Sequence, residues 1–529
     1  MIYRVNNSCD AAEICRIIEK IPDDSVLVFE PGEYFLDSAI EVNGKQGLIL
    51  DGRGAMLRPH FDRSAFCGEC TSDFIKSPTP DSEVMHICGC KRLTIRGFEI
   101  RSDNPSSCSG RIISVGDGYV DVRVDSSIPL TGSELFIAGL TVKEDGQPTN
   151  GWWVNAEFEP ERRTLVADEI PCTAPMRLPA KTEYLGGQDF RVRSAKQCMA
   201  LKVGSRVTVQ HSYYGLSAFV FRNSSDVLIE DVTLSDFGGF GFTILPRCEN
   251  FDFRRIKIAT NDREKKPVSI NSDGIHSTGL SGRLSISDSY FEFPGDDCLN
   301  VHTQALLVTN VDGNSATVVF DKVCGNISPD WGRPGDILRV FDRETLERRE
   351  IRLESAAPSK VVNGFITELR VKVAGEPPKV GDYIANAAYY PEVVIRNTEV
   401  VRPRGRSFCL QSCDRLEISG CTFEDFSSSL YMSGAPEHWG EAGGLSDVDI
   451  HSNIFRRGKL KEPWAAVYVR VNTEKTGIKH FHRNITIREN HFEDVSGKLF
   501  RINSTDGVEI SSNTFVRCKD CLPELNNCT

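Results

Sequence analysis

No run of about eighteen apolar residues occurs anywhere in this chain of 529, which excludes a membrane-spanning helix of ordinary length. Positive charge is in deficit too: 62 Lys and Arg stand against 74 Asp and Glu, a formal net charge of −12. The basic stretches KLKEPW and REKK are short and isolated, so the basic stripe that nucleic acid requires is missing. The surface suits a neutral ligand, or solubility alone. The opening MIYRVNNSCDAAEICRIIEK lacks the basic segment and apolar run of a secretion signal. The expected location is the cytoplasm, or the periplasm or exterior where a leader has been removed.

The eighteen cysteines then read as reduced thiols rather than a disulfide framework. Cys67, Cys70, Cys88 and Cys90 resemble a four-thiolate zinc site, although a single residue separates the second pair. Cys518, Cys521 and Cys528 crowd the C-terminal region. Buried or loop thiols are the plainer reading of both groups. No metal and no cofactor is assigned.

What is present is a repeat. RLTIRGFEI (from Arg92), DVLIEDVTL (Asp226), NFDFRRIKI (Asn250), RLSISDSYF (Arg283), EVVIRNTEV (Glu392), RLEISGCTF (Arg415), DVDIHSNIF (Asp447), NITIRENHF (Asn484) and GVEISSNTF (Gly507) share one pattern. Apolar and polar residues alternate to an Ile in most copies, polar residues follow, and an apolar or aromatic residue closes the segment. Alternation predicts strands, and the polar interruption predicts a sharp bend between two of them. Three intervals (226 to 250, 392 to 415, 484 to 507) are 23 or 24 residues, and three more, of 32 to 37, fit a coil with an enlarged loop.

A β period in the twenties predicts an all-β, right-handed parallel β-helix, in which stacked coils bury one continuous core. An ordinary β-sandwich does not keep one motif at coil spacing. Asp10 is placed to cap a short amphipathic helix over AAEICRIIEK that covers the first coil.

Two stretches break the repeat with strands and tight Gly/Asp turns at hairpin spacing, each long enough for a small inserted β-barrel. The expected organisation is a helix cap and first coils over 1–104, an inserted barrel-like domain over 105–215, and central coils over 216–302. A second inserted barrel-like domain follows over 303–390, and C-terminal coils over 391–529.

NSDGIHS and FPGDDCLNVH carry the chemistry. Asp273 precedes Asp296 by 23 residues, the shorter coil period, so it is expected one coil below the Asp296–Asp297 pair. His276 and His302, offset by 26, join from the same two coils. Crowded carboxylates cannot all stay ionised, so at least one pKa rises. A retained acid beside a carboxylate is what glycosidic hydrolysis uses, one group protonating the leaving oxygen and another deprotonating water. An isolated Asp-Asp reads as a turn, and a cluster of acids also suits calcium, but histidines are poor calcium ligands. The coil-matched third aspartate favours catalysis.

These two motifs resemble the DG-x-H and GDD-x-x-N-V-H pair of glycoside hydrolase family 110, the α-1,3-galactosidases. EVVIRNTEVVRPRGRSFCLQS and SGAPEHWGEAGGLSDVDIHSNIF resemble further stretches of that family, and the similarity runs from about residue 220 to 460. The resemblance implies a β-helix with inserted barrels and hydrolysis with inversion. Asp273, Asp296 and Asp297 match the family's acidic trio. By analogy with polygalacturonase-like β-helix hydrolases, Asp296 is the general acid, while Asp273 and Asp297 hold and activate water.

Around them His276, Asn300 and His302 are assigned to bind hydroxyls. Arg404 and Arg406 are assigned to orient carboxylates or grip sugar oxygens, against the plainer reading of a coil-surface ion pair. Glu437 and Glu441 are assigned to hydroxyls, and Trp439 to stacking on a sugar ring. The implied partner is a carbohydrate with terminal α-galactose, of blood-group B type or linear, and the long faces of a β-helix offer surface for a homodimer. The missing leader, the many cysteines and an extra small residue in HWGEAGG depart from the family pattern.

A polygalacturonase-like hydrolase is the nearest enzyme rival. Its Arg-x-Lys is matched only by Arg255 to Lys257, upstream of the aspartates and so misplaced. A pectate lyase requires calcium and a basic residue as base, and no clear constellation presents one. A non-catalytic glycan-binding β-helix has no need of the acidic trio.

Overall fold

The structure is a computed structural model. It describes the chain apart from residues 60–81, 103–106, 118, 125–140, 145–146, 156, 160–163, 167–177, 180, 194–202, 205, 211–216, 262–267, 321–326, 363, 426, 438, 461 and 474–477. Thirty-one strands join by parallel pairing into one continuous β-helix, as the repeat predicts. Among the described residues no helix is long and apolar enough to cross a membrane.

The nine repeat segments stack in register, and each of their columns has a separate task. The fourth position forms an inward column, Ile95–Ile229–Phe253–Ile286–Ile395–Ile418–Ile450–Ile487–Ile510. The ninth position forms another, ending Val400–Phe423–Phe455–Phe492–Phe515. In that column Phe455 and Phe492 stack with centroids 4.5 Å apart, and Phe423 and Phe455 at 5.0 Å.

Between them the sixth position makes the bend. Gly97, Asp231, Arg255, Asp288, Asn397, Gly420, Ser452, Glu489 and Ser512 all take left-handed φ between +50° and +69°. Seven of these nine are not glycine, at a cost of about 1–2 kcal/mol each, so the bend is written in position rather than in residue type. A third inward column, Phe219–Phe242–Ile275–Leu299–Phe408–Leu430–Val467–Phe500, backs the face that carries the acidic motifs.

The helix Ala11–Lys20 closes the first coil as expected. Asp10 accepts a hydrogen bond from the Glu13 N–H at 2.7 Å, and Ala11, Ile14 and Ile18 are buried in the common core.

Both irregular stretches are antiparallel insertions. The first contributes a sheet that includes Ser107–Gly116, Tyr119–Val124, Lys181–Gly186, Asp189–Arg193 and Arg206–Gln210. The second closes into a six-stranded barrel from Ala305–Asp312 to Tyr383–Asn386, with Trp331, Leu338, Val371 and Ile384 in its own core. It separates two coils in sequence without separating them in space: Leu299–Val301 pairs directly with Phe408–Leu410.

The zinc reading of the cysteines gains no support. Cys90 is sealed in the core with Sγ 3.3 Å from the Val42 carbonyl, and Cys67 and Cys70 lie outside the described residues. Cys518, Cys521 and Cys528 pack against the end of the core, each thiol directed at a backbone carbonyl.

Because Phe455 is buried between two stacked neighbours, Phe455→Ala is expected to cost about 3–5 kcal/mol of stability, measured as a fall in the denaturant midpoint.

Candidate active site

The site lies on three successive coils, read by aligning their strands. Ile275–Ser277 pairs with Leu299–Val301, and that strand with Phe408–Leu410. The register sets His276 beside Asn300 and Cys409, with Tyr431 next in the column. Two residues before each strand, the same register stacks Asp273, Asp297 and Arg406. Backbone bonds continue the match there, from Gly274 N–H to the Asp297 carbonyl (2.9 Å) and from Cys298 N–H to the Arg406 carbonyl (3.1 Å). The coil step is therefore 24 residues, and Asp273 lies under Asp297 rather than Asp296.

One carboxylate oxygen from each of Asp273, Asp296 and Asp297 lies within 4.8 Å of the other two. Asp273 Oδ2 is 2.6 Å from His276 Nδ1, and its Oδ1 accepts the Asp297 N–H at 3.1 Å. Asp297 takes the Arg406 backbone N–H at 2.6 Å and its guanidinium at 2.5 Å. Arg404 donates to the Gly295 carbonyl and reaches Asp296 Oδ2 at 3.4 Å. The two arginines, distant by 108 or 109 residues, thus orient carboxylates. Side-chain exposure divides the trio: 5% for Asp273, 1% for Asp297 and 17% for Asp296, the one that opens outward.

Gly405 allows this closeness. A Cβ there would fall 2.5 Å from Asp297 Oδ1 and 2.6 Å from Asp296 Oδ1.

Electrostatics follow from burial. Loss of solvent raises the Asp273 carboxyl despite His276, and raises Asp297 to about 8, with Arg406 opposing and the other two aspartates adding to the rise. Burial alone would deprotonate His276, but its bond to Asp273 and the surrounding carboxylates outweigh that and raise its pKa. Burial pushes His302 down to about 4 against the pull of Glu441, so it is neutral at pH 7. Its Nε2 is 3.3 Å from His276 Nε2 and 3.6 Å from Glu441 Oε1. Asn300 is buried beside them, and its Oδ1 has no hydrogen-bond partner.

The trio's spacing would also suit a hard cation. Yet Asp273 and Asp297 already direct their oxygens to His276, Arg406 and a backbone amide, and His276 brings a competing positive charge.

Of the predicted residues, the three aspartates, His276, Asn300, His302, Arg404, Arg406 and Glu441 come together. Glu441 is fixed by the barrel's root: Ala305 N–H donates to the Gly440 carbonyl at 2.7 Å, Ala442 N–H to the Thr303 carbonyl at 2.8 Å, and Phe320 packs on Gly440. On the same loop Glu437 accepts from Thr473 Oγ1 at 2.5 Å, and Trp439 leaves 57% of its surface exposed.

Sequence reasoning missed Gln411, which donates to Glu441 Oε2 at 2.6 Å, and Tyr431, whose ring lies 5.1 Å from the Arg406 guanidinium. Writing GIHS, CLNVH, FCLQ and LYMS one above another would have exposed both as outward positions of the same columns.

The family model described as right handed beta helix region matches residues 380–528. Over 449 residues the chain is 24% identical to alpha-1,3-galactosidase B of Bacteroides thetaiotaomicron, covering 81% of this chain and 70% of that protein. It is 23% identical to alpha-1,3-galactosidase B of Akkermansia muciniphila, covering 81% of this chain but 54% of that protein. With alpha-1,3-galactosidase A of Streptomyces avermitilis it shares 21% over 502 residues, 90% of this chain and 75% of that one. A solved family 28 exopolygalacturonase from Yersinia enterocolitica superposes with TM-score 0.44 at 10% identity, covering 100% of this chain and 78% of that one.

Gly405→Ala is expected to displace the acidic pair and lower kcat/KM on a cleaved glycoside about 100-fold, with the circular dichroism spectrum retained. At family level, then, the chain's resemblance to the α-1,3-galactosidases extends over some four-fifths of its length.

Proposed function

We propose that this protein is an exo-acting, inverting glycoside hydrolase that removes terminal α-1,3-linked galactose from glycans. The observation that carries the reading is the gathering of three carboxyls from adjacent coils, two sealed and charge-tuned, one open to solvent. The relatives' names supply the sugar and the linkage.

The proton that the crowded carboxyls share, which burial favours on Asp297, passes through Asp296, the outward carboxyl, to the oxygen that leaves with the remaining glycan. Water held against Asp273 and Asp297 attacks the anomeric carbon and gives its proton to the buried pair, while the bond to the leaving oxygen breaks. His276, hydrogen-bonded to Asp273, orients that carboxyl and favours its ionised form against the burial that raises its pKa. Asn300 Oδ1, buried without a partner, accepts from a sugar hydroxyl; an unmet acceptor of this kind costs about 1–3 kcal/mol until a ligand satisfies it.

The trio's oxygens are closer than the roughly 6.5–9.5 Å usual between acid and base in inverting enzymes, and nearer the roughly 5–5.5 Å of retaining ones. Water is the nucleophile in this reading, because the buried aspartates present little surface to the anomeric carbon and the exposed Asp296 serves as the acid. Proton NMR of the first-formed sugar tests this: β-galactose is expected, and initial α-galactose would contradict inversion.

Three further outcomes are expected. Asp296→Asn should lower kcat on an α-1,3-galactosyl disaccharide by at least about 100-fold, the usual minimum share of a general acid; undiminished turnover would remove Asp296 from that role. The crowded carboxyls should titrate as a unit, with the alkaline limb of the pH–rate profile near 8 as the last proton leaves. Arg406 favours the ionised form, so Arg406→Gln should move that limb to higher pH, besides lowering the rate.

A further inference from the structure

Outward positions of a β-helix face solvent and are ordinarily polar. On the repeat's own face they run through Arg254, Ser287, Arg396, Ser419, His451 and Arg488. The face with the acidic trio departs from this immediately beyond the site. There the outward column continues from Asn300 through Cys409 and Tyr431 to Tyr468. Trp464 leans against both tyrosines, with centroids 6.0 Å from Tyr431 and 6.5 Å from Tyr468, all edge to face. These residues form an apolar cluster of their own outside the coil core. Aromatic rings with polar edges, placed where a polar residue would serve the fold, are the ordinary material of a sugar subsite.

The cluster is joined to the chemistry. The guanidinium that grips Asp297 at 2.5 Å is the one lying 5.1 Å from the Tyr431 ring centre. Arg470 lies 5.6 Å from the Tyr468 ring centre, and its Nη2 donates to Asn472 Oδ1 at 3.1 Å, a neutral partner that leaves its charge uncompensated by that bond. At a strand spacing of about 4.8 Å, Tyr431 and Tyr468 stand roughly 10 and 14 Å along this column from Asn300. That is beyond the sugar whose bond is cleaved.

We infer that Tyr431, Trp464 and Tyr468, with Arg470, bind the sugar on the leaving-group side of the cleaved bond, a neutral pyranose whose apolar face meets Trp464 and whose hydroxyls meet Arg470. The inference rests on the proposed glycosidase reading and adds the direction of the glycan: the terminal galactose at the acids, the rest running toward the C-terminal coils. Trp464 and Arg470 are the residues to vary, because they are partly exposed where the tyrosines are 6–7% exposed.

The test compares an α-1,3-galactosyl disaccharide with α-galactosyl fluoride, which has no leaving-group sugar. In Trp464→Ala and in Arg470→Gln, the ratio of kcat/KM for the disaccharide to that for the fluoride should fall about tenfold. Trp464→Phe should recover most of it. A ratio unchanged in both variants, with the two substrates falling together or not at all, would overturn the subsite and leave the hydrolase reading standing. Hydrolysis of neither substrate by the unmodified protein would overturn that reading and the subsite with it.

Discussion

Everything at this site depends on the hydrogen-bonded stacking of parallel coils. A parallel ladder gives each outward side chain one neighbour above and one below, at a strand spacing of about 4.8 Å. The core columns hold that register through apolar contact along the length of the molecule. A slip of one residue would turn every inward side chain outward, so the register has no near alternative. Asp273, Asp297 and Arg406 are stacked for that reason alone, and no local attraction between the two aspartates is needed to bring them together.

The fold therefore bears a charge cluster it would otherwise shed. Burial and mutual repulsion raise Asp273 and Asp297, and the opposing positive groups arrive from the flanking strands: His276 three residues along, Arg404 and Arg406 one coil further on. The same burial neutralises His302 and thereby makes it a hydrogen-bonding group rather than a competing cation. Burial and repulsion outweigh the pairing and leave Asp297 able to hold a proton near neutral pH, which a solvated aspartate cannot do.

The inserted barrel contributes by position. It leaves the helix after the acidic coil and returns one coil later, so its root lies beside the site. Thr303 and Ala305 bond the loop that carries Glu441, and Phe320 fills the space over Gly440. Glu441 in turn meets His302 and Gln411. A loop that would be free on a bare β-helix is thereby fixed against its neighbour.

The sequence by itself determined the coils, the capped helix and the membership of the acidic trio. Each rests on a local period: alternation along strands, Asp10 before an amphipathic run, and two acidic motifs one coil apart. Arg404 and Arg406 were legible only through family resemblance, since the barrel hides their coil step from any fixed period. The tertiary structure decided the rest. It set the step at 24 residues and so put Asp273 under Asp297, and it left Asp296 as the exposed carboxyl. It also brought in Gln411, Tyr431 and Gly405. Nothing in the sequence period singles those residues out, and their roles follow from which side chains the stacked backbone holds beside them.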